Sequence, residues 1–145
     1  MLRRRPTTCA GALLVWFALS ASCAPASVTA PPPAAVALSI TYAAGPTHAR
    51  ATLTCRSGLQ RVTGFLIHRS AAILCRRARV LRGFLGSAPV GGRVCSQVYG
   101  GPDRAHIRGQ IGTTSASRWF GRADGCQIAD WGRAGLLLPR PRATS

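Results

Sequence analysis

The sequence predicts an α+β domain: an antiparallel sheet of about five strands, covered on one face by helix and closed by two disulfides. Three observations carry this. Several short runs alternate apolar and polar residues, the period of a half-buried strand. One arginine-rich run places its aliphatic residues at helical spacing instead. Four cysteines follow an export-type leader, and an even number of cysteines in a small exported domain implies disulfides.

The leader is residues 1–23. Arg3, Arg4 and Arg5 form a positive start, Cys9 to Leu19 an apolar core, and small residues follow from Ser20 to Ala26. This is the pattern of a secretory signal. The core is too short for a membrane span, which needs about 20 apolar residues. Ser20 and Ser22 fit a cut at Cys23, while Ala24 and Ala26 allow a later one. "LSASC" also resembles a lipoprotein signal, in which an acylated Cys23 would hold an otherwise secreted chain at the membrane. Residues 24–35 are small residues and proline, an extended linker in which Pro31 to Pro33 favour polyproline II. The folded domain is expected over residues 36–139, and residues 140–145 form a basic tail.

Within the domain, Val36, Leu38, Ile40 and Tyr42 share one face of a first strand. Gly45 and Pro46 turn the chain, and Arg50 to Cys55 alternates again as the strand paired with it. From Arg69 the period changes. Leu74, Ala78, Leu81 and Leu85 recur on one side of a helix, Arg76 and Arg79 lie opposite, and Ser70 stands at the N-cap position. Cys75 therefore sits near a helix start. A Cys55–Cys75 bond would join strand to helix, and a loop of that size contributes about 3 kcal/mol in the chain-entropy model. Three extended pieces are expected after the loop that ends at Gly92. They are Arg93 to Gly100, then Ala105 to Ile111, then Ser115 to Phe120 paired back across Gly112. The last turn leads into Cys126.

Cys9 leaves with the signal and Cys23 leaves or is modified, so Cys55, Cys75, Cys95 and Cys126 remain, with three possible pairings. No C-x-x-C or H-x-x-x-H pair occurs and the three histidines are scattered, so neither a metal nor a cofactor is expected. All 19 basic residues are arginine against three acids, Asp103, Asp124 and Asp130, giving a formal net charge of +16. Such charge favours anionic partners. A helix carrying Arg76, Arg77, Arg79 and Arg82 is one place for them to bind. Export removes the chain from most nucleic acid, so no specific nucleic-acid partner is expected. No G-x-S-x-G or similar arrangement joins the Ser, His and Asp residues, and catalysis is not expected. Asp103 and His106 read as surface residues, His68 as a local hydrogen-bonder, and Trp119 and Trp131 as core or dimer surface.

The stretches "CSQVYGGP", Cys95 to Pro102, and "RADGCQIADW", Arg122 to Trp131, with Ala105, Gly109 and Phe120, resemble the subtilisin inhibitor-like family of secreted actinobacterial proteins. "LTC" at Leu53 to Cys55, and His68 ahead of an alanine-rich stretch leading to Cys75, agree more loosely. The sequence departs from the pattern at Arg69, where proline is frequent, in "FLI" at Phe65 to Ile67, and in the arginines after Cys75.

The resemblance implies a five-stranded antiparallel sheet with about two helices on one face, usually in a homodimer. It also implies disulfides Cys55–Cys75 and Cys95–Cys126, and a reactive bond for serine proteases between Gln97 and Val98. Val94, Cys95, Ser96, Tyr99 and Gly100 would contact the protease. Val98 and Tyr99 would be held by strand-like packing, and Asp124 would either brace the loop or simply serve the turn before Gly125. Uncharged Gln97 suits a subtilisin-like enzyme better than a trypsin-like one, whose primary pocket is acidic. Two alternatives stand beside this reading: an arginine-rich binder of anionic partners, and an inhibitor-fold domain that inhibits nothing.

Overall fold

A computed structural model describes residues 33–141. The leader, Cys23, the first part of the linker and residues 142–145 lie outside the described residues.

The first strand, β1 (Val36–Ala44), turns through Gly45 and Pro46 into β2 (Thr47–Arg56), and both are antiparallel with Val36 opposite Cys55. A second tight turn at Ser57 and Gly58 leads into β3 (Leu59–Gly64), paired with β2. Helix α1 (Ala71–Val80) and the short α2 (Arg82–Gly86) follow. After a long irregular segment come β4 (Arg104–Ile111) and β5 (Thr114–Phe120), a hairpin closed at Gly112 and Thr113. The chain ends in α3 (Gly125–Ala134) and a single 3-10 turn, Gly135–Leu137. The sheet order is β3-β2-β1-β4-β5, with every neighbouring pair antiparallel. The architecture is the expected α+β fold.

Alternation explains the core. Val36, Leu38, Ile40, Tyr42 and Ala44 are buried on β1, and Ala51, Leu53 and Cys55 on β2. Ala105, Ile107 and Ile111 on β4, with Ala116 and Phe120 on β5, complete the covered face. The helices pack there: α1 against β1 to β3, α2 and α3 against β5. Leu74, Cys75, Ala78, Leu81 and Leu85 supply the apolar stripe of α1 and α2. Ser70 occupies the N-cap position of α1, but its side chain makes no capping hydrogen bond. Cys55 and Cys75 are fully buried and disulfide-bonded, with Cα atoms 6.0 Å apart. Cys95 pairs with Cys126 at a Cα separation of 5.3 Å. Two formed disulfides fit an oxidising compartment. No described helix is long and apolar enough to cross a membrane.

Two expectations need correction. Arg93 to Gly100 is not a strand, because none of the described strands lies beside it to pair with. Its backbone bonds run instead to the chain around the start of α3. The fifth strand is β3, an exposed edge whose side chains follow no clean alternation. Asp103, expected at the surface, is buried, with 1% of its area exposed. Trp131 lies in the core, while Trp119 stands exposed on the open face of the sheet, stacked on His106 at 4.0 Å.

Arg69, the departure before α1, has a structural task. Its guanidinium donates to the carbonyl of Leu136 and, at 3.0 Å, to that of Leu138. Arginine thereby fastens the C-terminal segment to the start of α1, which proline could not do.

Candidate functional site

Between Ser87 and Asp103 the chain forms neither helix nor strand. Its tip carries the expected contact residues. Val94 is fully exposed, Ser96 and Gln97 are exposed, and Val98 and Tyr99 are 59% and 61% exposed. Strand-like packing of Val98 and Tyr99 is therefore absent. A cleft of about 960 Å³ lies beside the loop, bounded by Cys95, Tyr99, Trp119 and Phe120 among others. The loop is held at discrete points.

Those points bracket Gln97 to Tyr99. On the N-terminal side Cys95 is bonded to Cys126, and the Ser96 carbonyl accepts from the Gly125 amide at 2.9 Å. On the C-terminal side the Gly100 amide donates to the Arg122 carbonyl at 2.8 Å. All three anchors fall within Arg122 to Cys126, so three free residues span two fixed ends on one short segment.

Two glycines permit this approach. A Cβ on Gly125 would fall 2.1 Å from the Ser96 Oγ. One on Gly100, which is buried, would fall 2.9 Å from Ile128 Cδ1. A side chain at either place would force the Ser96 hydroxyl or the Ile128 side chain to turn aside.

Asp124 serves the segment that receives the anchors. It is the N-cap of α3: its Oδ1 accepts from the Gln127 amide at 2.9 Å and its Oδ2 from Gln127 Nε2 at 2.8 Å. The Gln127 Oε1 in turn accepts from the Ala123 amide at 3.3 Å. This fixes the turn on both sides of Asp124 and starts the helix at Gly125. Asp124 also lies with Cys95 and Cys126 in a group whose ligand-type atoms fall within 4.8 Å of one another. The two sulfurs are bonded to each other, so they are not thiolate ligands.

The other two acids brace the roots of the loop. Asp103, at its C-terminal end, accepts from the Tyr42 hydroxyl at 2.5 Å and pairs with Arg122 at 3.0 Å. Asp130, on α3, pairs with Arg93 and with Arg118, each at 3.0 Å. Arg118 is 4% exposed, sits over the Phe84 ring at 4.0 Å, and donates to the carbonyls of Phe84 and Ser87 where the loop begins. Every acid in this strongly basic chain thus serves the loop or the turn that anchors it. Sequence reasoning missed Asp103, Asp130 and Arg118 in these roles. Two signals were present. Acids are so scarce that each merits a task, and alternation along β5 puts Arg118 on the covered face between Ala116 and Phe120, where a charge requires a partner.

His106 donates to or accepts from Ser117 Oγ at 3.2 Å. Burial, and secondarily the charge of Arg108, lowers its pKa below the usual histidine value.

No protein-family model matches this chain, and no curated protein matches it.

Proposed function

We propose that the chain is a secreted inhibitor of subtilisin-like serine proteases that offers Gln97–Val98 as a substrate-like bond. One observation carries the proposal: both sides of that bond are fastened to the same segment, Cys95 and Ser96 to Cys126 and Gly125, and Gly100 to Arg122.

A serine protease attacks the carbonyl of the scissile bond and must then lose the new amine before water can enter. Here attack at the Gln97 carbonyl would free the Val98 amine. Two residues on, Gly100 remains bonded to Arg122, so the amine stays beside the acyl-enzyme. At high effective concentration it competes with water and re-forms the bond. Anchored ends also reduce the ordering cost of binding, which lets an interface of ordinary size become tight. The exposed tip supports the reading further: Gln97 and Val94 are free to enter two pockets, and Tyr99 is free to extend the contact.

The proposed action is binding, not catalysis. The proposed location is outside the cell, with a membrane anchor if Cys23 is acylated. A second copy of the chain is the proposed partner for the open sheet face, where Trp119 is exposed; sedimentation of the wild type and of Trp119→Asp tests it, and a monomeric wild type excludes it. The functional test is titration of subtilisin with the oxidised protein. Stoichiometric, reversible loss of peptidase activity supports the proposal, and full activity with the protein digested contradicts it.

A further inference from the structure

A second concavity lies away from the loop's tip. Helices α1 and α3 and the segment after α3 enclose a cleft of about 790 Å³, within the range of small-molecule sites. Its walls include Ile73, Val80 and Leu136, which are 46%, 70% and 46% exposed. A smaller cleft of about 460 Å³ shares Arg69, Ile73, Leu136 and Arg140 with it.

The cleft combines this apolar wall with Arg69, Arg76, Arg77, Arg122 and Arg140, and no acid lines it. Of the three acidic side chains, Asp103 pairs with Arg122 from behind the cleft wall, Asp130 is held by Arg93 and Arg118, and Asp124 by Gln127, which leaves Arg69, Arg76, Arg77 and Arg140 without a carboxylate partner among the described residues. Arg69 and Arg77 are held in place through the backbone carbonyls of Leu136, Leu138 and Arg133. Burial and the nearby charge of Arg140 both act against the charged form of Arg69, as expected where cations gather unneutralised. An anionic ligand would supply the counter-charge that no described carboxylate gives.

We propose that this cleft binds a free fatty-acid-type ligand. Its carboxylate would meet the guanidiniums of Arg76 and Arg140, and its alkyl chain would lie along Ile73, Val80 and Leu136. A bare anion would leave the apolar wall wet, and an uncharged alkyl compound would leave the guanidiniums unpaired.

The test is calorimetric titration of the oxidised full chain with dodecanoate below its micelle concentration. The expected result is one equivalent bound, weakened at least about tenfold by the double substitution Arg76→Gln/Arg140→Gln, the loss expected for a charge-assisted contact. Ile73→Asp, at a half-exposed position, should abolish binding while leaving both disulfides and the circular dichroism unchanged. Arg50→Gln, on the open sheet face, should change nothing. Dodecanol and acetate should each bind at least about tenfold more weakly. Many equivalents bound without response to the substitutions would overturn the proposal. So would equal binding of dodecanol or acetate, or binding to phosphatidylglycerol vesicles without binding to monomeric dodecanoate. None of these substitutions alters an anchor of the loop, so protease inhibition reports separately.

Discussion

The Gly125 amide donates to the Ser96 carbonyl at 2.9 Å, tying the residue before Gln97 to the residue before Cys126. Gly125 is the first residue of α3, a position that accepts proline, and proline has no amide to donate. Gly125→Pro is therefore expected to release the loop from this anchor while the sheet survives. Inhibition of subtilisin should weaken at least about tenfold, the scale of one lost anchor contact plus restored loop entropy. Thermal melting should move far less. Inhibition constants and melting curves on the same preparation check this; unchanged inhibition would remove Ser96–Gly125 from the account.

The disulfides should separate by role. Cys55 and Cys75 are fully buried between sheet and helix, so the double serine variant should lose about 2–5 kcal/mol of stability, measured by denaturant unfolding. Cys95 and Cys126 are only partly buried. Their double serine variant should fold but be digested at the loop, converting an inhibitor into a substrate.

Side-chain preference rests on Gln97. Gln97→Arg should strengthen inhibition of trypsin, whose primary pocket is acidic, and weaken that of subtilisin. Paired inhibition constants give the answer. If neither moves, Gln97 does not occupy the primary pocket.

Asp103 is nearly inaccessible and holds both Tyr42 and Arg122. Asp103→Ala leaves a buried hydroxyl and a largely buried guanidinium without their acceptor, at an expected cost of about 3 kcal/mol. Equilibrium unfolding measures it, and a cost below about 1 kcal/mol would mark the pair as peripheral.

His106 should titrate below 6.5, because burial and Arg108 disfavour its charged form. Trp119 stacks on the ring, Ser117 bonds to it, and Thr41 lies opposite on β1. The unfolded chain takes up the proton first as pH falls. The contribution to stability is therefore present above the unfolded value and lost as pH drops through the folded one. A proton-NMR titration of the ring gives the midpoint; a value at or above 6.5 contradicts the assignment.

Much of the fold was legible because periodicity reports burial directly. The strands at Val36 and Ala105 and the stripe from Leu74 to Leu85 each carry their own pattern. β3 was not legible, since an exposed edge strand needs no alternation. Arg93 to Gly100 misled for the converse reason: it has strand-like composition but no neighbour to pair with among the described strands. At the site, the reactive segment and the Cys95–Cys126 pairing came from the resemblance of two separate stretches and not from a local pattern. The ion pairs could not be read in either way. Arg93 meets Asp130 37 residues later, and Tyr42 meets Asp103 61 residues later, separations that no local pattern encodes.

A nick after Gln97 is expected to leave both new ends in place. The most direct measurement starts from two samples, intact protein and protein already cut between Gln97 and Val98. Each is incubated with a catalytic amount of subtilisin and followed by mass spectrometry. Both should converge on the same mixture of intact and nicked chains, with bond re-formation visible in the second sample. Continued breakdown to small fragments, with no intact chain recovered from the nicked sample, would contradict this.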